Sequence, residues 1–176
     1  MTTTRHHLLL LAFCFCNLLS FAQQSKTDSL LSLLKTDIAD TNKLNHLNNL
    51  SWEYFLIGSY DSAMLYANTA LQLNTVLYKE VSDSKMKYTI QKAQAQSYNN
   101  IGNVYSSQGN YPEALKNHFA SLKIVEEIGD KNGIATSYNN IGSVYDEQGN
   151  YPEALKNHFA SLKIKEEIGE DRKSVV

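Results

Sequence analysis

Downstream of residue 22 the chain carries three histidines, His46, His118 and His158, and these are its best candidates for chemistry. His118 and His158 lie 40 residues apart in near-identical surroundings, so they occupy one position in two copies of a unit. A metal ion needs several ligands converging on one point. Imidazoles set one unit apart do not converge, and each is expected to pack as an aromatic would. The acid pairs Glu126-Glu127 and Glu166-Glu167 are adjacent in sequence. On a helix such neighbours point about 100° apart and cannot flank one substrate as acid and base. No HExxH, no glycine-rich phosphate loop and no GxSxG occurs. Lys116, Lys123, Lys156 and Lys163 are balanced by nearby glutamates and make no basic stripe, and the formal net charge is -2. Nucleic acid is therefore not an expected partner. The residues point to no enzyme, no cofactor and no metal.

The elements that position these side chains come from a duplication. Residues 97–129 and 137–169 match at 29 of 33 positions, the exceptions being Asn103/Ser143, Ser106/Asp146, Ser107/Glu147 and Val125/Lys165. All four exceptions are expected to face solvent or a groove. Within each copy Tyr98, Ile101, Gly102 and Tyr105 fall at the i, i+3, i+4, i+7 spacing of an amphipathic helix. Gly109 supplies a left-handed residue to end that helix, and Asn110, Pro112 and Glu113 suit the first turn of a second. That second helix carries Ala114, Leu115, His118, Phe119, Leu122 and Ile124. Gly129 to Gly133 then closes the unit. A worn third copy lies upstream: Leu47 to Tyr54 aligns with Tyr98 to Tyr105, and Gly58 to Ala63 with Gly109 to Ala114, at an offset of 51. The 11 extra residues are close to three helical turns, with a turn expected near Ser82, Asp83 and Ser84. Asp28 to Ala39 reads as an N-terminal capping helix.

This pattern resembles the tetratricopeptide repeat, whose aromatic, aliphatic-glycine, tyrosine and later alanine match Tyr98, Ile101-Gly102, Tyr105 and Ala114, and again Tyr138, Ile141-Gly142, Tyr145 and Ala154. Two features depart from it. His118 and His158 stand at the later aromatic position, and the period is 40 with no closing proline. The resemblance implies an all-α fold, a right-handed α-solenoid of stacked antiparallel helix pairs. It also implies that the first helix of each pair lines a concave face. The positions matching that face are Asn48, Trp52, Asn99, Asn103, Ser106, Asn139, Ser143 and Asp146. An asparagine amide both donates to and accepts from a peptide backbone, so the implied partner is another protein or peptide. Asn100, Asn140 and some of the ladder can instead bond across adjacent helices.

The two ends of the chain differ from the middle. Arg5, the apolar run Leu8 to Cys16 and the small residues Ser20 and Ala22 make a secretory signal cleaved after Ala22. Both cysteines, Cys14 and Cys16, lie inside it, so the exported chain folds without disulfides. Localisation is expected to be periplasmic or otherwise extracytoplasmic, with membrane contact only through the signal or a missing C-terminal segment. After Gly169 the chain reads Glu170-Asp171-Arg172-Lys173-Ser174-Val175-Val176 where a solenoid would present a capping helix. Its last six residues also translate a common sequencing-adapter string, so the natural frame is expected to continue beyond about Glu170; a short natural tail is the alternative.

The organisation is then a signal over 1–22, a capping helix over 23–43, a degenerate unit with a long second helix over 44–96, repeat units over 97–136 and 137–169, and a tail over 170–176. The whole is similar to the N-terminal region of exported sensor and regulator proteins of Bacteroidetes-type bacteria, where repeats precede a histidine kinase or a transcriptional output domain. That similarity implies the extracytoplasmic ligand-binding part of a signalling protein. A stand-alone periplasmic or outer-membrane assembly scaffold is the other reading.

Overall fold

The computed structural model describes residues 25–174, with side-chain surroundings through Gly169. The secretory signal expected over residues 1–22 lies outside the described residues. Within them the chain forms seven helices and no strand. Residues 25–36 form α1. Then follow α2 (Thr41–Leu56), α3 (Tyr60–Glu80), α4 (Ser84–Ser107), α5 (Tyr111–Glu127), α6 (Lys131–Glu147) and α7 (Tyr151–Ser174). Each helix from α2 onward packs on the next, giving an all-α solenoid of stacked helix pairs.

Local chemistry sets the boundaries. Asp40 accepts hydrogen bonds from the Asn42 and Lys43 amides at 2.9 and 3.0 Å to open α2, and Asp83 accepts from Met86 at 2.8 Å to open α4. Asn110 caps α5, with Pro112 in its first turn. The first helix of each pair ends in a glycine at positive φ: Gly58, Gly109 and Gly149. Gly129 ends α5 in the same way, but its counterpart Gly169 has no positive φ and α7 runs on through Ser174. The next residue explains part of this difference. Asp130, after Gly129, turns its carboxylate onto the Lys92 ammonium at 2.9 Å. The residue 40 positions after Lys92 is Asn132, which has no charge to offer.

The 11 residues added between the first and second units are shared by two helices. α3 has 21 residues against 17 in α5, and α4 has 24 against 17 in α6. The break between α3 and α4 falls at residues 81–83.

Two apolar clusters hold the stack. Leu44, Leu47, Ala70, Leu77, Ile90 and Ala93 join α2, α3 and the N-terminal part of α4. Ala95, Leu122, Val125 and Ile141 join α4, α5 and α6. Each such leucine or isoleucine contributes about 1.5–3 kcal/mol by leaving water. Val125 corrects an expectation. It faces neither solvent nor groove but is 2% exposed, because the N-terminal turn of α6 covers it. A Cβ added at Gly133 would stand 2.6 Å from its Cγ1. Lys165, at the same position of α7, is exposed. Buried polar groups tie the helices: Asn74 donates to Ile90 O, Asn100 to Asn48 O, Ser51 to Ala63 O and Ser161 to Ala135 O. Among the described residues no buried side-chain polar atom lacks a partner, which avoids about 1–3 kcal/mol for each orphan.

Candidate functional site

The first helices of the pairs make a closer row than the second helices. α2 meets α4 and α4 meets α6, whereas α3 does not approach α5, nor α5 α7, among the described residues. In a curved stack the layer with the shorter spacing is the inside of the curve, so α2, α4 and α6 line the concave face.

Close approach within each pair depends on Gly102 and Gly142. A Cβ on Gly102 would sit 2.6 Å from His118 Cε1, and one on Gly142 2.9 Å from His158 Cε1. The imidazoles therefore lie flat on bare backbone. Ile101, Ile141, Ala114 and Ala154 are buried beside them, and Tyr98, Tyr105, Tyr138 and Tyr145 are half-buried. His118 Nδ1 donates to Asn99 Oδ1 at 3.1 Å, which fixes the tautomer. Burial lowers the His118 pKa to about 4, so the ring is neutral and serves as packing. His46 lies elsewhere, 2.7 Å from Asp37 Oδ2.

The groove runs between α4 and α6 as two clefts. One of about 230 Å³ is lined by Lys92, Gln96, Asn99, Asp130, Asn132 and Thr136, among others. The other, of about 150 Å³, is lined by Asn103, Ser106, Ser107, His118, Asn140, Ser143 and Glu147, with Phe55 reaching in from α2.

The eight residues named from sequence fall into three groups. Asn103, Ser106 and Ser143 line the second cleft together, and Asn99 lines the first. Ser106 donates to Glu147 Oε2 at 2.5 Å across the cleft. Asn139 and Asp146 are exposed on α6, and Trp52 is exposed on α2. Asn48 is a correction, since it is fully buried and belongs to no groove. Its amide donates to Ala93 O at 2.9 Å and accepts from Ser97 Oγ at 2.7 Å. Ala67 explains the difference from Asn99. It holds on α3 the position His118 holds on α5, so Asn48 has no ring to bond and turns to α4 instead.

Sequence reasoning missed Phe55, Leu56, Gln96 and Thr136, and named Ser107 only as a position facing solvent or a groove. The offset of 51 places Trp52, Phe55 and Leu56 opposite Asn103, Ser106 and Ser107, and the offset of 40 adds Ser143, Asp146 and Glu147. Carrying that alignment through the whole helix face identifies the three triplets.

A model of the tetratricopeptide repeat family matches residues 93–167, from the middle of α4 to α7. No curated protein sequence matches the chain. Three solved structures are similar in fold. A Rap protein complexed with competence and sporulation factor superposes with a TM-score of 0.66 at 20% identity, covering 85% of this chain and 41% of that one. The apo form of RapI gives 0.64 at 22% identity, covering 84% and 38%. BtubC from P. vanneervenii gives 0.57 at 20% identity, covering 72% and 48%. The chain thus spans less than half the length of each of them.

Proposed function

We propose that this chain is a non-catalytic scaffold that binds an extended polypeptide along the concave row of α2, α4 and α6. The observation that carries the reading is the cleft between α4 and α6. There Asn103 and Asn140 keep their amides free of partners among the described residues and so offer both donors and acceptors to a peptide backbone. The repeat match over residues 93–167 supports it. So does a protein of similar fold solved in complex with competence and sporulation factor.

We further propose that the chain is exported by a signal over residues 1–22 and forms the extracytoplasmic ligand-binding part of a signalling protein. The residue pattern of the N-terminus and the absence of cysteine after Cys16 support export.

Selection of phage-displayed random peptides on the immobilised full chain tests the binding reading. Peptides should be enriched whose binding is abolished by the double substitution Asn103→Arg and Ser143→Arg, which fills the cleft. Enrichment of none, or of peptides indifferent to that substitution, rejects the groove. Sequencing the N-terminus of the chain recovered from a cell-envelope fraction tests export, with Gln23 expected first.

A further inference from the structure

The three aligned triplets on the concave face differ sharply in chemistry. α2 presents Trp52, Phe55 and Leu56, α4 presents Asn103, Ser106 and Ser107, and α6 presents Ser143, Asp146 and Glu147. The first is an aromatic platform open to solvent. Trp52 is 38% exposed although its ring stacks on Phe55 at 5.2 Å, and Phe55 leans on Tyr60 at 6.1 Å. Leu56 and Ile57, which follow Phe55 in the chain, are exposed as well. Clusters of exposed large apolar side chains are uncommon on a folded surface and mark contact sites, and tryptophan anchors are enriched in binding hot spots. The opposite end is acidic. Asp146 is exposed, and Glu147 is bonded to the neutral Ser106 hydroxyl, so both charges remain uncompensated by that contact. Lys92, the cation of the neighbouring cleft, is already paired with Asp130.

Resting on the groove reading above, we infer that this gradient selects an extended peptide carrying a large apolar side chain at one end and a lysine or arginine at the other. The apolar residue seats on Trp52 and Phe55, the backbone crosses the amides and hydroxyls of α4, and the cation reaches Asp146 and Glu147. Packed helices lie about 9 Å apart, so α2 and α6 are separated by about 18–20 Å. An extended chain advances about 3.3 Å per residue, which sets the two ligand side chains about six residues apart.

The test repeats the peptide selection on three forms of the full chain. Wild type should enrich peptides with an aromatic or large aliphatic residue spaced five to seven positions from a basic one, by the estimate above. The pair Asp146→Lys and Glu147→Lys should exchange the basic preference for an acidic one and leave the apolar preference intact. Trp52→Ala should relax the apolar preference and weaken a synthetic, fluorophore-labelled consensus peptide by about tenfold, with the basic preference kept. These side chains are exposed, and circular dichroism checks that each variant stays helical. Peptides that bind through Asn103 and Ser143 but lack the pair, or ignore both changes, overturn the gradient while the groove stands. If no groove-dependent peptide is enriched, the groove reading fails as well. A concentration-dependent dimer abolished by Trp52→Ala would show that a second copy fills the platform, and would overturn the inference.

Discussion

His118 makes the packing of α4 on α5 depend on pH. Its imidazole is buried over Gly102, with a pKa of about 4 in the folded chain against 6.5 when exposed. As pH falls through 6.5 the unfolded chain gains a proton that the folded chain refuses until near 4. Stability is therefore lost across that window, and the full difference is about 3 kcal/mol. Urea denaturation of wild type and His118→Phe at pH 7, 6 and 5 checks this, since the variant should show a clearly shallower decline. Equal slopes would mean the ring is not held neutral. The role of the histidine as a packed aromatic was legible from its repeat position. The fate of Asn48 was not, because the helical phase it shares with Asn99 says nothing of Ala67, two helical turns into the next helix. Burial of one amide and partial burial of its equivalent turned on the size of a third residue.

At the scale of the helix, the turn from α5 to α6 is pinned from outside. Asp130 is 6% exposed at the start of α6 and takes its charge partner, Lys92, from α4. The carboxylate also raises the lysine pKa through their hydrogen bond. Removing the cation with Lys92→Met strands a buried carboxylate, at an expected cost of about 1–3 kcal/mol. Adding Asp130→Asn should recover most of it, and a double-mutant cycle read by chemical denaturation measures the coupling. Additive costs would show the pair to be incidental. Caps and turns were readable because Asn110, Pro112 and the glycines act within three or four residues. The division of the 11 extra residues between α3 and α4 was not readable, since either helix can lengthen without breaking its own periodicity.

Across the whole molecule, identical residues have different worth. Leu122 on α5 is 7% exposed beneath α6, while Leu162, the same residue of the same repeat on α7, is 50% exposed. Tyr151, Leu155 and Phe159 are open along the same helix. Leu122→Ala should cost about 2–4 kcal/mol and Leu162→Ala less than about 1 kcal/mol, measured by denaturant unfolding of the two variants. Similar losses would mean that the α7 surface is covered in solution. The solenoid itself was legible because 29 of 33 residues recur and one unit cannot bury its own face. What recurrence hides is which neighbours cover each copy, which shows in Val125 and Lys165 once those neighbours are known.

Near-identity also poses a problem of bookkeeping for the folding chain itself. Asn48 recognises Ser97 and Asn100, and Ser137 and Asn140 offer it the same groups from the wrong helix. The two extra turns of α4 separate the right choice from the decoy. Correct assembly seats Ile90 beneath α3, where Asn74 grips its carbonyl. The residue 40 positions after Ile90 is Asp130, a charge that such a dry position would penalise. The added length thus makes α4, and not its near-copy α6, the helix that fits both Asn48 and α3.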